Sequence, residues 1–294
     1  MMKKIKIINY NSNDLDSYEE ECFIKIKKNP EFYGLLLDNG FDDSTIKKYI
    51  GSCNSYYDDY NVWKKLKTLS DIENSGIKYG YSLKIVDNAL VRTSFLLPAY
   101  QDYVNFASKF IYKDYSDSLN NVTLKNIDNL TLKSKVKSLI KAKSWIYFTG
   151  AMRSGRSYFA IALINASANK GSSNLAFIDC QSRFKEFSDY YFNNKQTFNN
   201  IIDKLKNAHV LVLDGFGNEY INDIVRDNIV LPILLYRANN QKTTIFTSDF
   251  SINDIVTLYA TKNKSGNNIK VNQIGNILNS MIKNEVVTSK TSLY

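Results

Sequence analysis

Proline and glycine are scarce in this chain, at 3 and 12 of 294 residues, so element boundaries must be read from periodicity rather than from turn punctuation. Cysteine is as sparse. Cys22, Cys53 and Cys180 are widely spaced and odd in number, which argues against a disulfide framework and a cysteine-rich zinc site. The single histidine, His209, stands at a strand entrance and reads as structural. With it alone there is no His/Cys cluster of metal-site spacing, and no nucleophile elbow appears. Apolar stretches such as Ile229 to Tyr236 fall far short of the ~18 residues of a membrane span. The start, MMKKIKIINYNSNDLD, is basic but has no apolar core and no small-residue cleavage site, so a cytoplasmic protein without a membrane partner is expected.

What is present has ordinary globular proportions. Hydrophobic residues make up 44% and charged ones 23%, which excludes global disorder, and the length fits two domains. Thirty-eight Lys+Arg against 29 Asp+Glu leave a net charge of +9. That excess suits a polyanionic partner, whose counterions a basic patch releases. It fits equally well a biased, Lys-, Asn-, Ile- and Tyr-rich residue usage, so charge alone does not choose.

Residues 17–69 read as helical. Ser17-Tyr-Glu-Glu has the form of a capping box, Pro30 suits a first helical position, and Asp43-Ser44-Thr45 can cap a helix through Ile46, Tyr49 and Ile50. A further helix would carry Tyr60, Val62, Trp63, Leu66 and Leu69. Two β-type runs, 81–86 and 90–96, flank Asp87-Asn88 and predict a hairpin that Pro98 ends. The polar stretch 114–130 reads as a linker between a mainly helical domain, 1–113, and a second domain, 131–294. In the latter, apolar strands near 145–149, 175–179, 209–214, 243–248 and 285–289 alternate with helices. That alternation predicts an α/β fold with a buried, parallel five-stranded sheet.

Gly150-Ala-Met-Arg-Ser-Gly-Arg-Ser157 lies between the first of these strands and its helix. The spacing is that of a phosphate loop, G-x-x-x-x-G-[KR]-S, with Arg156 in place of lysine. Glycines allow the tight turn, and backbone N–H groups at the helix start present partial positive charge to an anion. The candidate phosphate-binding residues are therefore Gly150, Ser154, Gly155, Arg156, Ser157 and Tyr158, with ATP or ADP as ligand. Ser157 and Asp214, which ends the strand VLVLD, would together hold Mg²⁺. Arg156 is broader and longer than the ammonium such a loop is shaped around. The residue after Asp214, where active ATPases carry a second acid, is Gly215, and Glu219 reads as a helix-start residue. At the end of the fourth strand, Asp249 would repel phosphate; its plainer reading is a helix cap with Ser251. For transition-state charge, Arg226 and Arg237 are the last arginines, and nothing selects among Lys262, Lys264, Lys270 and Lys283.

The stretch 145–157, with HVLVLDGFGNE, VRDNIVLPILLYR and TTIFTSDFS, resembles the AAA+ domain of bacterial replicative-helicase loaders of the DnaI/DnaC type. The likeness covers 131–294 well, and more faintly the hairpin YSLKIVDNALVRTSFLLP. It implies a primosomal protein whose amino-terminal domain grips a DnaB-type replicative helicase. It also implies an AAA+ domain that binds ATP and single-stranded DNA, self-associates, and assists helicase loading in DNA replication. Against the family pattern, Arg156 stands for Lys, Gly215 for the second acid and Asp249 for Asn. An arginine after residue 270 and the amino-terminal zinc cysteines are missing. Each charge stabiliser is worth ~10²–10³ in rate, so ATP hydrolysis is expected to be weak or absent. Two other readings stay open: a working ATPase of the transposition-helper type, and a nucleotide-independent DNA-binding or scaffolding protein.

Overall fold

The computed structural model of the chain describes residues 12–127, 129–141, 144–261, 268–283 and 285–289. The chain divides into two compact units, Met1–Asn105 and Phe106–Tyr294. Among the described residues no helix is long and apolar enough to cross a membrane.

The amino-terminal unit packs α1 (Ser12–Lys27), α2 (Pro30–Asp38), α3 (Asp43–Lys48), α4 (Ile50–Trp63) and α5 (Leu69–Ser75) with the strands β1 (Tyr79–Val86) and β2 (Ala89–Leu96). Helix α6 (Pro98–Ala107) follows. Pro30 occupies the first turn of α2 behind an Asn29 cap, as its fixed φ favours. Asp42, rather than Asp43, caps α3 by accepting the Thr45 N–H at 2.7 Å. Ser17 lies inside α1, so its capping-box pattern marks no helix start. The periodicity through Leu69 is interrupted as well: α4 stops at Trp63, and Thr68 opens α5 with a reciprocal Thr68–Asp71 capping box. Asp87 and Asn88 both adopt positive φ, 50° and 61°, the geometry a two-residue hairpin turn requires. The core is aromatic: Phe32, Tyr56 and Tyr60 are buried, with Phe32 5.0 Å from Tyr56 and 5.1 Å from Tyr60, centroid to centroid.

The second unit holds β3 (Phe110–Lys113), α7 (Leu130–Lys141), β4 (Ile146–Gly150), α8 (Arg156–Asn169), β5 (Leu175–Asp179), α9 (Cys180–Asn193) and α10 (Lys195–Asn207). It continues with β6 (Val210–Asp214), a π-helical turn (Val225–Val230) leading into α11 (Leu231–Asn239), β7 (Thr243–Ser248), α12 (Ile252–Thr261), α13 (Asn268–Met281) and β8 (Glu285–Thr288). Six strands form one sheet in the order β3-β5-β6-β7-β4-β8, and every pairing is parallel. The five expected strands are present, and β3 adds a sixth at one edge. Alternate residues divide between two cores. Trp145, Tyr147, Ile178, Leu211, Leu213 and Phe246 face one layer, while Ile146, Phe148, Phe177, Val210, Val212 and Ile245 face the other. This double burial explains strands that are apolar throughout. The π-helical turn has a local cause: Pro232 cannot donate to the carbonyl four residues back and clashes with it, so the helix widens ahead of the ring.

The stretch read as a linker is tied to the second unit. Lys113 pairs with Phe177 in the sheet, and Asp114 takes a two-pronged ion pair from Arg183 at 2.6 and 2.8 Å. Asn165, fully buried in α8, accepts the Tyr115 hydroxyl at 2.6 Å and donates to the Leu119 and Val122 carbonyls at 2.8 and 2.9 Å. Replacing it strands buried partners, which costs more than the bonds themselves. Asn165→Leu is therefore expected to lower the unfolding free energy by roughly 2–4 kcal/mol in urea titrations, with an unchanged slope.

Candidate functional site

The parallel register carries the ends of β4, β5, β6 and β7 to one edge of the sheet. Thr149 lies opposite Ser248, Leu213 opposite Phe246 and Asp179 opposite Asp214. In open α/β sheets this carboxyl edge is where ligands settle. The loop from Gly150 to Ser157 rises beside it. At Gly150 a Cβ would lie 2.3 Å from the Thr288 carbonyl oxygen on β8, so only glycine passes there. Gly155 turns the chain into α8, and no side chain caps that helix start. The first-turn N–H groups of Arg156, Ser157 and Tyr158 are thus left for solvent or an anion. Ser154 does not face outward. It is buried, its hydroxyl 2.6 Å from that of Thr288, and it anchors the loop to β8. Tyr158 packs its ring against the core beneath α8, which leaves its backbone N–H for a ligand.

Ser157 and Asp214, separated by 57 positions in sequence, meet at 2.8 Å, with the Ser157 hydroxyl donating to Oδ1. The Thr247 hydroxyl donates to the same oxygen at 2.5 Å and itself accepts the Gly215 N–H at 2.9 Å. Burial raises the Asp214 pKa, and the two hydroxyls oppose that rise. Among the described residues no group of three His, Cys, Asp or Glu side chains could hold a metal alone. One hydroxyl and one carboxylate, completed by phosphate oxygens and water, is the donor set Mg²⁺ takes at nucleotide sites. Ser157 and Asp214 fit that role.

Arg156 departs from the loop pattern with a consequence that spacing did not reveal. Its Nη2 forms an ion pair with Oδ1 of Asp249, beyond the end of β7. The other oxygen, Oδ2, accepts the Asn218 amide at 2.6 Å. Burial pushes the Asp249 carboxyl up, but Asn218 and the Arg156 guanidinium outweigh it and hold the group below the ordinary carboxylate value. Asp249 is not the cap of the next helix: Ser251 and Asp254 cap α12 between themselves. The substitutions of Lys by Arg and Asn by Asp are two halves of one contact, which a reading of each motif separately misses.

The remaining candidates are placed clearly. Gly215 sits at φ 69°, a region that disfavours most L side chains, so the backbone conformation as well as the residue's identity weighs against a second acid there. Glu219 is not a helix-start residue. It is buried, accepting the Gly217 N–H at 2.6 Å and the Tyr259 hydroxyl at 2.5 Å. Arg237 is fully buried and bonds the Leu205 and Ala208 carbonyls, each at 2.9 Å, where the negative end of α10 supplies compensation. Burial lowers its pKa to about 9, which leaves it cationic at neutral pH. Arg226 is held by Asp223 and Asp227, and Lys270 pairs with Asp227 at 2.8 Å. Lys262 and Lys264 lie outside the described residues.

Burial raises the Glu219 pKa, with its hydrogen bonds opposing. An acid whose folded pKa is raised loses folding free energy as pH climbs from its unfolded value through its folded one. The stability of Glu219→Gln relative to the parent should therefore improve in thermal melts as pH rises from the ordinary glutamate range toward neutrality. A difference that stays constant over that range would contradict the assignment.

No protein-family profile matches the sequence. The chain is 24% identical over 264 residues to the replicative helicase loader DnaI of Bacillus subtilis (strain 168), a match covering 82% of each chain. A crystal structure of DnaI superposes with a TM-score of 0.53 at 21% identity, over 62% of this chain and 98% of that one. The DnaC helicase loader gives 0.45 at 21% identity, over 59% of this chain and 100% of that one. A sequence likeness spread over most of both chains, joined to a shared fold, bears out the resemblance drawn from the motifs.

Proposed function

We propose, for a chain that belongs with the replicative-helicase loaders of the DnaI/DnaC type, that it is a primosomal adaptor which binds nucleotide at the carboxyl edge of its sheet and turns it over slowly or not at all. In this reading the amino-terminal unit engages a DnaB-type replicative helicase. The carboxyl-terminal unit binds ATP or ADP with Mg²⁺, contacts single-stranded DNA and self-associates, and the whole assists helicase loading.

The observation that carries the reading is the Ser157–Asp214 contact beside the uncapped start of α8. When bound, Mg²⁺ would neutralise phosphate charge there. The chain's own contribution is binding: first-turn N–H groups for the phosphates, the Ser157 hydroxyl and Asp214 carboxylate for the ion, Thr247 to orient that carboxylate. Neither candidate after β6 is placed to polarise water, because Gly215 carries no side chain and Glu219 is spent inside the core. The net charge of +9 suits the nucleic-acid partner.

The test uses the full chain. Mg²⁺-dependent ADP binding, followed by calorimetry, should weaken ~10-fold or more in Ser157→Ala, as expected when one charge-assisted contact is lost. Steady-state ATP turnover should fall at least ~10² below that of an active relative. Co-sedimentation with the DnaB-type helicase of the same organism should be retained in Ser157→Ala, since recognition is assigned to the other unit. Failure to bind that helicase would overturn the adaptor role; brisk hydrolysis abolished by Ser157→Ala would favour the working ATPase instead.

A further inference from the structure

We propose that Arg156, Asp249 and Asn218 form a charge clamp that makes the phosphate cradle selective for a nucleoside diphosphate over the corresponding triphosphate. The inference rests on the nucleotide-binding reading above and names the ligand class that site prefers.

Three observations carry it. First, the cation at the head of the helix, where such loops carry their lysine, is neutralised from within the chain, because the Arg156 guanidinium is paired to the Asp249 carboxylate. An unpaired cation at that position would offer its charge to the outer phosphates; that of Arg156 is compensated by Asp249, which leaves the exposed Arg153 as the loop's other cation. Second, the carboxylate is held at both ends. Arg156 binds Oδ1 and the Asn218 amide binds Oδ2, so Asp249 is fixed between the loop and the turn after β6 rather than free to swing into solvent. A third phosphoryl group brings further negative charge toward a fixed carboxylate in a partly buried site, where repulsion is screened less than in water. Third, the clamp leaves some binding capacity: Nη1 of Arg156 is buried without a hydrogen-bond partner. A buried donor of this kind gains from an acceptor, and a phosphate oxygen supplies one. The helix start, Ser157 and Asp214 stay available for the inner phosphates and the ion.

The experiment compares ADP with a non-hydrolysable ATP analogue on the full chain in Mg²⁺, by calorimetry. The parent protein is expected to bind ADP at least ~10-fold more tightly than the analogue. Asp249→Asn, which keeps the shape and the Asn218 contact region but removes the charge, should tighten the analogue ~10-fold and change ADP by less than ~3-fold. Asn218→Ala, which releases Oδ2, should narrow the preference partway and serves as the deciding variant should Asp249→Asn fail to give a cooperative melt. Equal or tighter binding of the analogue by the parent protein overturns the clamp and leaves nucleotide binding standing. An unchanged preference in both variants overturns it too. Binding that appears only in the variants means the clamp blocks the cradle rather than selecting, and also overturns the proposal. Absence of binding in all three proteins overturns the nucleotide reading itself.

Discussion

Both faces of the six-stranded sheet are covered, so its strands have no polar face and their chemistry is confined to their ends. Asn165, Arg237 and Glu219 are among the polar side chains buried in the interior, and each is matched to several partners, as burial demands. With all strands parallel, one edge collects every carboxyl end, and the loop after β4 lies against it. Ser157, Asp214, Thr247 and Asp249 converge for that reason. Without the shared direction of β4, β6 and β7 the same residues would be scattered over two ends of the molecule.

The site has a consistent electrostatic logic. The helix start keeps its partial positive charge uncapped, and the Ser157–Asp214 contact is maintained. What changes is the balance on the outer side, where one cation and one carboxylate cancel. An exposed ion pair contributes little to stability; this one joins the partly buried Arg156 side chain to Asp249 at the surface and links the loop to the end of β7. Backbone conformation adds to the effect at Gly215, whose positive φ suits a tight turn better than a catalytic side chain.

Much of the fold was legible. Continuous apolar strands alternating with amphipathic helices predicted the sheet, and Asp87-Asn88 predicted the hairpin turn that their φ angles show. Helix starts were less secure, because a capping pattern such as that at Ser17 is only a local preference and the helix can continue through it. The strand β3 was missed because four residues, Phe110-Ile-Tyr-Lys, carry no periodicity of their own; their strand state comes from pairing with β5. The polar stretch that follows looked like a linker for a similar reason. Its order depends on Asn165 and Arg183, which lie far along the chain.

The sequence alone determined the phosphate-loop spacing, the aspartate at the end of its strand and the absence of a second acid, since these are matters of residue type at fixed local distance. It also determined that Arg156 and Asp249 depart from what such a loop and strand end usually hold. Only the tertiary structure decided that the two departures meet, that Glu219 turns inward to Tyr259, and that Arg237 is spent on the end of α10. Chain-local chemistry is set by which residues are neighbours in sequence; the pairing of charges is set by strand order and register, which depend on burying every strand at once.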